Sequence, residues 1–247
     1  MPMILVLTYR IHSYESDFTG LARVATILNY LQESAWNHAE ELGVGYSHLL
    51  QKNLAWVLAR LRLKLFSLPR WGESVKLETW PSGADRLFCF RDFRLTDQNG
   101  RILSLATTSW LAIDLQHKRP QKTETYIDLP TADAERVFAE FAGKVAVPEG
   151  EVEVSTFRVL YSHLDVNGHM NNVKYVEAAL DSLPQDFVRR HALDELTINF
   201  VNEALLGDEI DVLTAVPSAD QRVQQMKRRS DGAEVCRLHS IWRPFEE

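Results

Sequence analysis

The feature that most constrains the fold is a pattern that occurs once in each half of the chain. The segment YRIHSYESD, residues 9–17, matches FRVLYSHLD, residues 157–165, in its order of apolar and polar residues, at an offset of 148. The segment WGESVKLET, residues 71–79, matches LGDEIDVLT, residues 206–214, at an offset of 135. Internal self-similarity of this kind indicates that one structural unit is used twice. The sequence therefore predicts two equivalent domains.

After its first matching segment, the first half shows one long helix and then several strands. Apolar residues follow helical spacing from residue 19 to residue 42, and Gly43 suits the position after a helix end. Alternating apolar and polar residues then predict strands at four places, namely around Leu63 and over residues 74–80, 87–95 and 102–113. A doubly wound parallel sheet is excluded, because no helices separate successive strands.

The resulting prediction is an α+β fold in which each half is an antiparallel sheet curled around its own helix. The first domain is predicted over residues 1–125 and the second over residues 151–247. A polar linker with several prolines is predicted between them, over residues 126–150.

Charge and cysteine content exclude several classes of protein. A net charge of −7 and the lack of a basic stripe argue against nucleic-acid binding. Cys89 and Cys236 are too few for a disulfide framework and lack metal-ligand spacing, so a reducing compartment is expected, and with it a cytoplasmic location. The first residues, MPMILVLTYR, are too short an apolar run for a membrane span and predict a strand instead of a signal peptide.

The two halves differ in one cluster of polar residues. Asp165, Asn167 and His169 stand directly before the second helix, and Glu203 follows a predicted strand. Their counterparts in the first half are Asp17, Thr19, Leu21 and Leu68. Asp165 or Asn167 alone could simply cap the helix. However, the first half folds without the rest of this set, so the set indicates a functional site in the second half only.

The residue types in this cluster suit hydrolysis. A helix N-terminus offers unpaired N–H groups and partial positive charge to a developing oxyanion, and we expect the donors near Met170 and Asn171. Adjacent carboxylate, amide and imidazole groups can hold a water molecule and remove its proton.

The stretch LDVNGHMNNVKYVEAALDSLP, residues 164–184, resembles the signature of acyl-acyl carrier protein thioesterases, which release fatty acids from their carrier. The segments LNYLQESAWNHAEELG (28–43), NLAWVLARLRLKLFSLPRWGESVKLETWPSG (53–83) and TTSWLAID (107–114) resemble the N-terminal domain of that family. The resemblance covers nearly the whole chain. It implies two fused hotdog domains, with catalysis in the second.

The resemblance also implies the roles of individual residues. The catalytic set would be Asp165, Asn167, His169 and Glu203, with Glu203 or Asp165 as the general base. At Ala204 this sequence departs from the many plant members that have cysteine there, so the resemblance implies an activated water and no cysteine nucleophile. It implies no metal or organic cofactor.

The implied reaction is hydrolysis of a fatty acyl-carrier protein thioester to a free fatty acid and the carrier thiol. An acyl-CoA thioesterase and a non-catalytic fatty-acyl binding protein are the alternatives. The first domain would supply a dry tunnel for the acyl chain, with Leu28, Leu31, Trp36, Val57 and Trp110 as candidate lining residues.

The implied partner is the acidic acyl carrier protein, and a homodimer is left open. Because this chain is also acidic, docking requires a local basic patch. The sequence offers three basic patches, at Arg60–Arg62–Lys64, at Arg189–Arg190 and at Lys227–Arg228–Arg229.

Overall fold

The structure is a computed structural model that describes residues 3–125 and 134–245. The chain divides into two compact units, Met1–Ala142 and Gly143–Glu247. Of the predicted linker, residues 126–133 lie outside the described residues. Residues 134–142 belong to the first unit and residues 143–150 to the second.

The first unit contains one long helix and an antiparallel sheet. Its helices are α1 (Val24–Glu41) and α2 (Tyr46–Gln51). Its strands are β1 (Leu5–Arg10), β2 (Leu54–Leu65), β3 (Ser74–Ala84), β4 (Cys89–Thr96), β5 (Ile102–Asp114) and β6 (Arg119–Pro120). The strands pair in the order β1-β3-β4-β5-β2, and the short β6 pairs with β5.

The core of the first unit forms where the apolar stripe of α1 is buried with the inward-facing residues of the strands. Ile27 on α1 is fully buried, as are Leu63, Leu77 and Phe93 on three of the strands. Each such side chain contributes roughly 1.5–3 kcal/mol relative to its exposed state. The faces that the helical periodicity of α1 and the alternation of the strands predict to be buried are therefore the ones buried in the structure.

The second unit repeats this plan. Its helices are α3 (Asn172–Asp181) and α4 (Gln185–Arg190). Its strands are β7 (Glu153–Arg158), β8 (His191–Phe200), β9 (Glu209–Ser218), β10 (Gln221–Arg228) and β11 (Glu234–Pro244). They pair antiparallel in the order β8-β11-β10-β9-β7.

The backbone hydrogen bonds confirm the predicted duplication. The Ala22 N–H donates to the Pro69 carbonyl at 2.8 Å, and at the equivalent positions the Met170 N–H donates to the Ala204 carbonyl at 2.9 Å. These two bonds are related by the same offsets that relate the sequence segments. The prediction of an antiparallel sheet with its own helix in each half is therefore confirmed.

The first long helix begins later than the apolar pattern predicted. It starts at Val24 instead of residue 19, because the preceding residues form a tight turn in which Gly20 has a φ of +80°. The second long helix is capped by Asn171, whose side chain accepts from the Val173 N–H at 2.8 Å. The N-cap is therefore neither Asp165 nor Asn167. No helix in the described ranges is long and apolar enough to cross a membrane.

Candidate active site

The residues before α3 form a turn built around Asp165. Its Oδ1 accepts from the backbone N–H of Asn167 at 2.8 Å and from that of His169 at 3.4 Å. The Asp165 N–H donates in turn to the His169 carbonyl at 2.8 Å, and Gly168 takes a φ of +77°, which a glycine adopts without strain. The turn therefore fixes where the His169 side chain leaves the backbone.

The same turn exists in the first unit, around Asp17. Its Oδ1 accepts from the N–H groups of Thr19 at 2.8 Å and Leu21 at 3.3 Å, and its own N–H donates to the Leu21 carbonyl at 2.8 Å. The first unit has no histidine or glutamate at the positions that match His169 and Glu203. A side-chain oxygen at this position thus makes the turn in both units, whether or not a site follows.

His169 and Glu203 lie in direct contact. The His169 Nε2 is 3.3 Å from the Glu203 Oε2, and the two side chains are 33% and 58% exposed. They meet because the backbone of His169 forms a bridge with that of Leu205. An acid–base pair open to solvent is therefore present directly before α3.

Two hydrogen bonds, the second of them buried, hold the segment that carries Glu203. The Arg228 guanidinium donates to the Glu203 carbonyl at 3.2 Å, and the neighbouring Ala204 N–H donates to the Tyr175 hydroxyl at 3.0 Å. Tyr175 is 3% exposed, and burial raises the pKa of this phenol, which keeps it protonated. Sequence reasoning missed both supports, although Tyr175 stands in the quoted signature, one helical turn after Asn171.

The expected oxyanion donors are used elsewhere. The Met170 N–H donates to the Ala204 carbonyl at 2.9 Å, and the Asn171 N–H donates to the His163 carbonyl at 2.8 Å. Their assignment as oxyanion donors was therefore wrong. The first N–H groups of a helix have no partner inside it, and Asn172 is the first residue of α3. Its N–H has no acceptor within residues 3–125 and 134–245.

Asn167 is exposed at the tip of the turn. Its backbone N–H bonds to Asp165, whereas its side-chain amide makes no hydrogen bond to any described residue. The amide is consequently available to a ligand or a water molecule.

The predicted tunnel residues fall into three groups. Leu28 and Leu31 are buried on α1, with 4% and 2% exposure. Val57 on β2 and Trp110 on β5 are half-buried. Trp36 is 48% exposed and stacks on Tyr46, outside the buried face of α1. A residue that lines a dry tunnel should be shielded from water, so we leave Trp36 out of the proposed tunnel.

The interior of the first unit is not wholly apolar. The Arg91 side chain lies in the core, with its Nη1 2.9 Å from the His38 Nδ1 and 3.2 Å from the Thr79 Oγ1. Burial lowers the pKa of Arg91 to about 10, because the charged form loses its hydration. Alternating strand patterns assign buried positions to apolar residues, so this polar group was not predicted.

Both cysteines are buried, at 5% exposure for Cys89 and 0% for Cys236. Burial raises the pKa of the Cys236 thiol well above its usual range, which disfavours the nucleophilic thiolate. Within the described part of the chain, no group of three or more His, Cys, Asp or Glu side chains is arranged to hold a metal ion.

Comparison with known proteins gives matches along almost the full chain. A family model described as the Acyl-ACP thioesterase N-terminal domain matches residues 5–128, and one described as the Acyl-ACP thioesterase C-terminal domain matches residues 147–244. Among solved structures, an acyl-ACP thioesterase from Bacteroides thetaiotaomicron is similar with a TM-score of 0.89 and 26% identity, over 98% of both chains.

Two curated plant proteins are also similar. The chain is 29% identical over 265 residues to the chloroplastic palmitoyl-acyl carrier protein thioesterase of Gossypium hirsutum. It is 30% identical over 257 residues to the protein of the same name from Arabidopsis thaliana. The alignments cover 98% and 95% of this chain, but 64% and 62% of the two relatives.

Proposed function

The chain belongs to the acyl-ACP thioesterase family, and on that premise we propose that it hydrolyses fatty acyl-acyl carrier protein thioesters to a free fatty acid and the carrier thiol. The observation that carries this proposal is the 3.3 Å contact between His169 and Glu203 directly before α3. The matching positions of the first unit hold Leu21 and Leu68, which have no acid–base chemistry. The contact is therefore not a requirement of the fold.

Glu203 serves as the general base in the proposed mechanism. Its exposed carboxylate takes a proton from a water molecule, which the free amide of Asn167 helps to orient. His169 Nε2–H donates to Glu203 and holds it in place. The resulting hydroxide attacks the thioester carbonyl carbon, the C–S bond breaks, and the sulfur leaves as a thiolate that takes up a proton.

The developing oxyanion is assigned to the N-terminus of α3. The Asn172 N–H has no acceptor among the described residues, and the helix end adds partial positive charge. This donor replaces the N–H groups of Met170 and Asn171.

Asp165 is a positioning residue in this proposal, because Asp17 makes the same turn where no site exists. We expect Asp165→Asn to keep the turn, since an amide oxygen still accepts the two N–H groups. The loss in kcat/KM should stay well below the hundredfold that removal of a general base typically causes. Asp165→Ala should lose both hydrogen bonds and about 1–3 kcal/mol of unfolding free energy.

The first unit supplies the matched controls for this prediction. Asp17→Asn and Asp17→Ala should change the free energy of unfolding by amounts similar to the Asp165 variants, as measured by urea titration. A hundredfold loss of kcat/KM in a stably folded Asp165→Asn variant would make Asp165 the base and contradict the assignment.

The function itself is tested by thiol release from acyl-acyl carrier protein and from acyl-CoA of equal chain length, over a series of chain lengths. We expect turnover with both and a higher kcat/KM with the carrier protein. A higher kcat/KM with acyl-CoA would favour the acyl-CoA thioesterase. Fatty acyl binding without any thiol release would favour a non-catalytic binding protein.

We also propose a cytoplasmic location. The low cysteine content supports the predicted cytoplasmic location, whereas the two plant relatives carry the word chloroplastic in their names.

A further inference from the structure

Two of the three basic patches considered from the sequence are already engaged. Arg228 pairs with Asp208 and Asp231, and Arg229 lies near Glu209 and Asp211. On β2, the Arg60 guanidinium donates to the Ala142 carbonyl and lies over the Phe88 ring, while Arg62 lies over the Phe138 ring. Of the three, only Arg189 and Arg190 at the end of α4 lack such partners in the described ranges.

A fourth surface combines arginines with exposed aromatic rings. We call it the first-unit turn surface and define it by Tyr14, Phe18, Arg23, Arg70 and Trp71. The three aromatic residues are 72%, 86% and 65% exposed in chain order. Both arginines are exposed, and neither guanidinium has a carboxylate partner within the described part of the chain.

Backbone contacts hold these residues in one continuous region. Leu21 forms a bridge with Arg70, and the Trp71 N–H donates to the Gly20 carbonyl at 2.9 Å. The Arg23 N–H donates to the Glu15 carbonyl at 2.9 Å, which joins the start of α1 to the segment after Tyr14. The rings and guanidinium groups are thus presented by segments that are hydrogen-bonded to one another.

Nearby carboxylates do not neutralise the arginines through direct pairing. Glu15 accepts from the His12 N–H and the Tyr30 hydroxyl, both at 2.8 Å. Asp17 is occupied by its own turn, and Glu73 accepts from the Arg70 backbone N–H at 2.8 Å. The acidic groups stabilise the backbone here, whereas the basic groups extend into solvent.

The equivalent surface of the second unit lacks the arginines and keeps one exposed ring, Tyr161. There Val166 and Leu206 replace Phe18 and Trp71, and Asn171 and Leu205 replace Arg23 and Arg70. The two arginines, Phe18 and Trp71 are therefore not needed to build the turn. Exposed aromatic residues and arginines are the residue types that dominate binding energy at protein interfaces.

We propose that the first-unit turn surface docks the acidic acyl carrier protein. The identity of this partner rests on the proposed function. The unpaired arginines attract an acidic surface, and the three rings supply the apolar contact. A second copy of this chain fits less well. An isologous contact centred here would bring the arginines of the two copies together, and both copies are net negative.

The test measures binding of apo-acyl carrier protein, without acyl chain or prosthetic arm, to the full chain at low ionic strength. Arg23→Glu combined with Arg70→Glu should weaken binding about tenfold or more and reduce its salt dependence. Phe18→Ser with Trp71→Ser should also weaken binding. Arg189→Glu with Arg190→Glu makes the same change in net charge on α4 and tests the remaining sequence candidate directly. Docking at the turn surface predicts a smaller loss of binding for this variant than for the Arg23/Arg70 variant.

The docking proposal and the proposed function fail in different ways. The arginine variant should keep its kcat/KM with acyl-CoA while losing kcat/KM with acyl-carrier protein, because only the carrier protein contacts the surface. Unchanged carrier binding in both turn-surface variants, or a loss confined to the α4 variant, would overturn the docking proposal. Normal carrier binding without thiol release from any thioester would overturn the proposed function and leave the docking surface standing.

Discussion

Glu203→Gln should lower kcat/KM for acyl thioester hydrolysis by about a hundredfold or more, which is the scale of losing a general base. The amide cannot take a proton from water, whereas its size and its contact with His169 are nearly preserved. His169→Ala should cause a similar loss, because Glu203 then loses the group 3.3 Å away that orients it. The measurement is the initial rate of thiol release, with the fold monitored by circular dichroism.

Two matched controls separate chemistry from surface charge. Glu209→Gln removes another exposed carboxylate of the second unit, and His239→Ala removes a histidine that contacts Gln221 on a different pair of strands. Both should stay within a few-fold of wild type. Wild-type activity in a folded Glu203→Gln variant would transfer the role of base to Asp165.

The second large effect concerns the length of the acyl chain. Leu31 is buried on α1, and the first unit carries no acid–base pair at the positions equivalent to the site. We expect Leu31→Trp to shorten the proposed tunnel and shift preference toward shorter chains. One methylene in an apolar pocket is worth about 1–3 kcal/mol, so neighbouring chain lengths should change roughly tenfold relative to one another.

The readout is a profile of kcat/KM over acyl chain length. Overpacking of a buried position costs about 1–3 kcal/mol, so Leu31→Phe provides a milder variant if Leu31→Trp unfolds. Ala179 is the equivalent position on α3 and is 1% exposed, which makes Ala179→Val the matched control. A profile that responds to the Ala179 variant but to no folded Leu31 variant would show that the tunnel does not lie along α1.

Local pattern was a sufficient guide to the elements and to their duplication. Strand alternation predicted four strands that the structure contains. The two sequence offsets also relate equivalent hydrogen bonds, Ala22 to Pro69 in the first unit and Met170 to Ala204 in the second. Periodicity is informative here because each helix and strand buries one face, and the spacing of apolar residues along the chain identifies that face. The start of the first helix was misjudged because the turn around Asp17 replaced the expected first helical turn.

The sequence alone determined which residues distinguish the two halves, since comparing Thr19, Leu21 and Leu68 with their counterparts requires only alignment. The tertiary structure decided what those residues do. It brought His169 against Glu203, gave Asp165 the same turn as Asp17, and engaged the N–H groups of Met170 and Asn171. It also turned Trp36 outward and buried Arg91. The contact of His169 with Glu203 and the engagement of the Met170 N–H depend on backbone pairing with residues 204 and 205, far along the chain, so the pattern of neighbouring residues does not contain them.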